Sequence, residues 1–518
     1  METPTFSYND KKTWDLFKEG RTKGIFQLES NLGRAWSKRL QPTNIEELGA
    51  LIALIRPGSL KAITDGKSMT QHYVDRKMGV DAVKYLHKSL TDTLKTTKGV
   101  LIYQEQSMRI AQELAGFNLQ EADVLRKAIG KKKADLMAKV KKDFLEGCKH
   151  QGVVNIETAE EIFGWIEKSS RYSFNKSHAI CYAINSYKSA WYKANNTKEF
   201  FLSYLTYANE KQDPHQEVYE LVSEAKLFDI EVKLPNLNRW NDQFFTHRNN
   251  IYFGVKEVKS LTGVNGDKVI KAIKEADVNN KFNWMDILIH LSPKINATGF
   301  KALCSIGFFC TKNTKVTRNQ ALYEYLIFKN LTKAELNWVT EKYKSKKWKN
   351  LKECFISLAP TKKEGGGTSR VDRKQVIQNE IHFLESPPYD LSDSPEWIIE
   401  QEKKYLGCPI SLSRVESSDT SHSNTTCKQI LDGKHGKDIC IVANISRYSE
   451  YKCKKGKSAG EMMAFLTLED ETCSVDNVVI FPTVRSKYKF VLEEGVNLLF
   501  CGEVEKNGSF IINKIHEI

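Results

Sequence analysis

Apolar positions recur at helical spacing through most of residues 1–235, with few prolines or glycines to interrupt them, which predicts a largely α-helical first half. The pattern breaks over residues 236–262. There the Leu234-Pro235-Asn236 step leads into a polar stretch and then the strand-like run Ile251-Tyr252-Phe253-Gly254-Val255. Short helices are expected from 263 to about 355, punctuated by Gly263, Gly266, Pro293, Gly299 and Gly307. Residues 362–370 read KKEGGGTSR, and three adjacent glycines predict a free linker. A second polar, aperiodic zone covers 416–426, and no repeat of fixed period is present.

The last stretch changes class. Residues 438–447, 463–468, 475–481, 497–504 and 509–515 are short apolar runs, several of them alternating, each bounded by turn residues. Five such strands in about 80 residues suit a small barrel of the oligonucleotide/oligosaccharide-binding (OB) type. Lys452, Lys454, Lys455 and Lys457 lie between its first two strands, next to Tyr448 and Tyr451. Cations track phosphates and rings accept any base face, so this stretch suits single-stranded nucleic acid. It equally suits a solvated hairpin tip, and pattern alone leaves both open.

Charge narrows the field. The 518 residues carry 78 Lys and Arg against 64 Asp and Glu, a net charge of +14, with 41% hydrophobic and 10% aromatic residues. Such a chain has material for several cores and favours a polyanionic partner, although lysine-rich surfaces alone give the same balance. The N-terminal residues have no apolar targeting segment, and no apolar run is long enough to span a bilayer. The eleven cysteines are scattered without a CxxC pair, which argues against a zinc ribbon or a disulfide framework and fits a reducing cytoplasm.

Two basic clusters stand out in the first half. Asn118 with Glu121 forms a capping box for a helix that Gly130 is expected to end, and its last turn carries Arg126 and Lys127. Lys131, Lys132 and Lys133 follow, then Lys139, Lys141 and Lys142 on a second helix. Several cations at a helix junction hold a triphosphate or a strand backbone well, while a lysine run also serves as a plain solvated face. The second cluster is Tyr172-Ser173-Phe174-Asn175-Lys176-Ser177-His178, with Ser177 placed to cap the following helix. In that helix Tyr182, Tyr187, Trp191 and Tyr192 have the spacing of core residues. Neither cluster contains a Ser/His/Asp, HExxH or Walker-type pattern.

These strings resemble a known family. KGIFQLES (23–30), LQPTNIEELGALIALIRPGSL (40–60), YVDRKMG (73–79), GVLIYQEQSMRIAQELAGF (99–117), EADVLRKAIGKKK (121–133) and FNKSHAICYA (174–183) look like successive blocks of the bacterial C-family replicative DNA polymerase, the polymerase III alpha subunit. MAFLTLEDET (463–472) resembles its OB domain, so the likeness runs over nearly the whole chain. It implies a multidomain protein: mainly α-helical polymerase fingers over 1–235, a helix-hairpin-helix and clamp-binding region over 236–360, a linker and connecting segment over 361–436, and a small all-β OB barrel over 437–518.

The resemblance also implies site residues. Arg126 and Lys127 fall on the family's paired basic residues that grip the incoming triphosphate; the family commonly has Arg-Arg there, and lysine lacks the bidentate fork. Lys131, Lys176, His178 and Arg56 are expected near the same phosphates. Lys132, Lys133, Gly263, Gly266 and the barrel residues Lys452, Lys454, Lys455, Lys457, Tyr448 and Tyr451 are expected to touch DNA. Gln378, Ile381 and Phe383 form a loose match to a sliding-clamp peptide. The palm aspartates of the family, in PDFDVDF-like and KFDFLGL-like strings, have no counterpart. They hold the two Mg²⁺ of phosphoryl transfer, so the metals are expected on a palm-bearing second chain, and this chain is expected to be inactive alone. The partners implied are primer-template DNA, deoxynucleoside triphosphates, that palm chain and a sliding clamp, with no membrane, in the cytoplasm. A non-enzymatic DNA-binding accessory protein is the alternative, and an excerpt of a longer polymerase a third reading.

Overall fold

The computed structural model describes residues 6–131, 134–169, 172–276, 282–415, 418–454, 456, 458–505 and 508–518. Helices dominate the chain as far as residue 432 and a closed five-stranded barrel follows, which is the architecture read from the pattern of the sequence. The chain forms two compact units, Met1–Phe200 and Phe201–Ile518. The break in periodicity near residue 235 falls inside the second of them.

In the first unit the helices used below are α1 (Ile45–Leu54), α2 (Gln104–Ala115), α3 (Leu119–Lys131), α4 (Ala134–Gln151), α5 (Ile156–Ser169) and α6 (Lys176–Asn195). The apolar stripes of α2 to α5 close on one core, in which Ile110, Leu114, Leu125, Phe144, Ile162 and Phe163 are fully buried. The sequence of α1, IEELGALIAL, is apolar nearly all round, and α1 is covered accordingly, in part by α6. The capping box of α3 is present: Asn118 Oδ1 accepts from Glu121 N at 3.0 Å, and Glu121 Oε2 accepts from Asn118 N at 2.8 Å. Gly130 does not end the helix, which runs on to Lys131. The buried stripe Ala122, Leu125 and Ala128 holds α3 in place, and this packing outweighs the roughly 1 kcal/mol that an interior glycine costs.

The second unit contains the region expected to carry hairpins. A short 3₁₀ turn, Lys259–Leu261, leads through Gly263 into α7 (Gly263–Glu275). The glycine run at 365–367 is not a free linker. Gly366, Gly367 and Thr368 are buried, and Thr368 pairs with Thr361 across a tight loop. A Cβ on Gly366 would lie 1.9 Å from the carbonyl oxygen of Pro360, and one on Gly367 2.7 Å from the Trp338 ring. The glycines are there because the backbone passes too close to its neighbours for a side chain. Beyond them, α8 (Val371–Glu385), α9 (Pro395–Leu406) and a short helix Cys427–Asp432 lie in the stretch expected to be linker and connecting segment.

The barrel strands are β1 (Ile439–Lys452), β2 (Met462–Glu469), β3 (Ser474–Ile480), β4 (Asn497–Val504) and β5 (Phe510–Glu517), with a helix Pro482–Tyr488 between β3 and β4. They close in the order β5-β3-β2-β1-β4, antiparallel throughout except β3 with β5. Ile439, Ile441, Ala443, Ala464, Leu466, Leu468, Val478, Ile480, Phe500 and Ile512 fill the interior, as period-two alternation requires. Outside, Val415 packs on Val442 and Leu499, and the strap that carries it runs along β1. Ser423 Oγ accepts from Val442 N at 2.7 Å, and Asn424 Oδ1 accepts from Cys440 N at 2.9 Å. Cys440 and Cys501 are disulfide-bonded across β1 and β4, a single pairing among cysteines whose scatter argues against a disulfide framework. They lie 61 residues apart, a separation that no spacing rule flags and that only the strand register brings together.

Gly366→Ala is expected to destabilise the second unit by about 1–3 kcal/mol through overpacking. Gly436→Ala, where no atom lies within 4 Å of the added Cβ, is expected to be close to neutral. Urea unfolding followed by tryptophan fluorescence reads the difference; equal effects would mean that the loop is as open as a linker.

Candidate nucleotide and nucleic-acid interfaces

The segment before α2 and the start of α6 are tied backbone to backbone. Gln104 N donates to Phe174 O at 2.9 Å and Phe174 N to Ile102 O at 3.0 Å, forming a parallel bridge between Tyr103 and Phe174. Glu105 completes the joint. Its Oε1 accepts from Asn175 Nδ2 at 2.6 Å and its Oε2 from Lys176 N at 2.9 Å, so a carboxylate sits where the helix dipole favours negative charge. Asn175, not Ser177, caps α6: its Oδ1 accepts from His178 N at 2.8 Å, because the helix begins at Lys176, one residue before Ser177.

This joint gathers three of the expected nucleotide-site residues. Arg56 lies over the Phe174 ring, 3.9 Å from its centroid, with Nε donating to Ala53 O and Nη2 to Tyr172 O, both at 3.1 Å. Burial lowers the pKa of its guanidinium from the ordinary value. Lys176 Nζ is 3.2 Å from Glu46 Oε2. The exposed His178 ring meets Phe174 at 5.3 Å and Tyr182 at 4.1 Å, and Tyr182 in turn meets Phe26 at 5.1 Å. Of the other aromatics of α6, Tyr187 is fully buried and donates from its hydroxyl to Ser7 O at 2.6 Å.

Arg126 and Lys127 form a separate pair on α3. Both reach Asp123, Arg126 Nη2 at 2.7 Å and Lys127 Nζ at 2.8 Å, and the bonds from Lys127 and Arg126 hold the carboxyl below the usual carboxylate range. Their side chains are 39% and 53% exposed, so the ion pairs are weak and both cations are open to an anion from solvent. Asp123 was not singled out from the sequence, although its i, i+3 and i, i+4 spacing to the two cations could have shown it. The Lys131 side chain lies outside the described residues, as do Lys132 and Lys133.

In the second unit Gly263 takes φ +56° with open space around it, while a Cβ on Gly266 would lie 2.0 Å from Leu261 O. The first amides of α7 have no intrahelical acceptor, which is what an anion at a helix start meets. Gln378, Ile381 and Phe383 all lie in α8, where Gln378 and Ile381, three residues apart, share a face and Phe383 is turned about 160° from Ile381 at about 100° per residue. The helix does not bring those three together.

On the barrel, Tyr451 and Phe465 stand side by side on the outer surface of β1 and β2, 44% and 37% exposed, with ring centroids 6.4 Å apart. Lys452 and Lys454 follow along the chain and are exposed, and Lys455 and Lys457 lie outside the described residues. Tyr448 differs: its ring packs on the barrel core, and its hydroxyl donates to Glu450 Oε1 at 2.6 Å. Phe465 was missed, yet alternation along MAFLTL, with Ala464, Leu466 and Leu468 inside, points it outward.

A family model described as the bacterial DNA polymerase III alpha subunit finger domain matches residues 1–152. DNA polymerase III subunit alpha of Aquifex aeolicus is 31% identical over 516 residues, covering 98% of this chain and 39% of the relative. The same subunit of Buchnera aphidicola subsp. Schizaphis graminum is 37% identical over 511 residues, covering 96% of this chain and 40% of the relative. The chain belongs to the DNA polymerase III alpha subunit family. It spans about two fifths of the length of these relatives. In DNA polymerase III subunit alpha of Escherichia coli strain K12 the match is 36% over 320 residues, 60% of this chain. Arg56, Arg126 and Lys127 lie within the segment that matches the polymerase III finger model, whereas Lys176, His178 and the barrel lie beyond it. Among the described residues no helix is long and apolar enough to cross a membrane, and no group of three or more His, Cys, Asp and Glu side chains could hold a metal ion.

Asn175→Ala is expected to cost about 1 kcal/mol and to fray the first turn of α6, which carries Lys176 and His178. Hydrogen exchange of the peptide from 174 to 182 should rise while that of α4 stays unchanged; no rise would mean that the Glu105 contact alone holds the helix start.

Proposed function

We propose that this chain supplies the fingers, the duplex grip and the single-strand-binding barrel of a template-directed DNA polymerase, with the palm aspartates on a separate polypeptide. The observation that carries the reading is the exposed pair Arg126 and Lys127, held by Asp123 inside the finger segment. Two cations on one helix turn give several charge-assisted bonds to a triphosphate, whose oxygens would replace those of Asp123. Lys176, His178 and Arg56, grouped at the start of α6, complete the nucleotide side. In this reading the two magnesium ions are held by the palm partner, and no step of the chemistry is routed through this chain. In this assignment fingers occupy 1–235, a helix-hairpin-helix region 236–360 and the barrel 437–518. Gly263 and Gly266 present backbone amides to the duplex, and Tyr451 and Phe465 stack bases of the single-stranded template while Lys452 and Lys454 follow its phosphates. Its place of work is the cytoplasm.

The reading is tested by primer extension with magnesium and all four deoxynucleoside triphosphates, using this chain mixed with a palm-bearing polypeptide from the same genome. The mixture is expected to extend the primer and neither chain alone to do so. DNA binding without extension in the mixture would favour a non-enzymatic DNA-binding accessory protein.

Within the reconstituted enzyme, Arg126→Ala should raise the nucleotide KM about tenfold or more, since a charge-assisted phosphate contact contributes about 1.5–3 kcal/mol. An unchanged KM would remove Arg126 from the nucleotide site. DNA affinity of the chain alone should fall steeply between low and physiological salt as counterions are released. A flat salt dependence would contradict binding through lysines.

A further inference from the structure

Cys440 and Cys501 occupy directly opposed positions on β1 and β4, with Cα atoms 4.2 Å apart. Ile439 and Ile441 point into the core, so Cys440 points out, half-buried beneath Val415. The backbone amide and carbonyl of Cys440 bond to Asn424 on the far side, at 2.9 Å each, and not to Cys501. Pairs that do not exchange backbone hydrogen bonds are the closest in an antiparallel ladder, which puts the two sulfurs within bonding reach before any oxidation.

The other cysteines are differently placed. Cys148, Cys304, Cys354, Cys408, Cys427 and Cys473 are buried, and burial raises their thiols, to about 11 for Cys148 and about 12 for Cys408 and Cys473. Thiol exchange runs through the thiolate, so these positions are slow to react. Cys181 is exposed, Cys310 and Cys453 are half-buried, and each is a free thiol.

We propose that Cys440 and Cys501 are a reversible thiol–disulfide clasp of the barrel, closed by exchange with a low-molecular-weight disulfide and opened by the corresponding thiol. In closure, the thiolate of one cysteine attacks the small disulfide, forming a mixed disulfide and releasing one small thiolate. The thiolate of the other cysteine then displaces the second small thiolate and forms the Cys440–Cys501 bond. Two electrons pass to the small disulfide, and the two protons lost by the cysteines end on the two released thiols. The closed clasp pins β1 to β4 beneath the strap, so opening of that ladder is suppressed. The inference stands on the barrel alone and is independent of the polymerase reading.

The test uses the full chain, incubated with either oxidised or reduced glutathione, then alkylated under native conditions and mapped by peptide mass. Cys181 is expected to be alkylated in both samples, and Cys440 and Cys501 only in the reduced one. Hydrogen exchange in peptides covering 439–446 and 497–504 is expected to be about tenfold slower or more in the oxidised sample. Equal alkylation of Cys440 and Cys501 in both samples would overturn the proposal, and so would a glutathione adduct that persists on either. In Cys501→Ser, Cys440 should keep a glutathione adduct and the redox difference in exchange should vanish; a difference that survives the substitution would also overturn it.

Discussion

The carboxylate of Glu105 is the constraint on which the arrangement of the first unit turns. One side chain at the start of α2 receives both the cap residue of α6 and the first amide of that helix. The parallel bridge between Tyr103 and Phe174 fixes the same two segments in register, and Phe174 then supplies the ring on which Arg56 rests. Arg56 is thereby a brace as well as a cation, since two of its donor groups go to backbone carbonyls. Lys176 and His178 inherit their positions from the helix start, because neither is held by a bond of its own as firmly as the cap is.

A different economy governs the cations of α3. Arg126 and Lys127 are exposed and share one carboxylate, so their orientation is set by a weak, local interaction. The braced group around Phe174 and the exposed pair on Asp123 are thus two kinds of basic cluster within the first unit, one held by backbone carbonyls and one by a neighbouring side chain.

Much of the fold was legible in the sequence, for reasons that differ by element. The barrel strands were readable because alternation is strict where one face is core; the first of them runs on to Lys452, farther than the alternation indicated, because beyond Ile445 it leaves β4 and pairs with β2 through an irregular register. Asn118 and Glu121 were readable because a capping box is local. Gly366 and Gly367 were not, since composition cannot tell a glycine chosen for freedom from one chosen for lack of room. The end of α3 was misplaced because tertiary packing of Leu125 and Ala128 overrides a local stop. Of the candidate sites, the cations were visible as cations, but Asp123 and Glu105, which decide how they are presented, only acquired meaning once the helices were placed. Phe465 and the Cys440–Cys501 pair depend on strand register in the same way.

The strap along β1 has one further consequence. Between Ile439 and Ala443 that strand has no neighbouring strand on its second edge among the described residues, because pairing with β2 begins only at Asn444. The side chains of Ser423 and Asn424 occupy the amides that would otherwise face another molecule. With those amides taken up by its own chain, this stretch of β1 is no template for strand addition by a second copy.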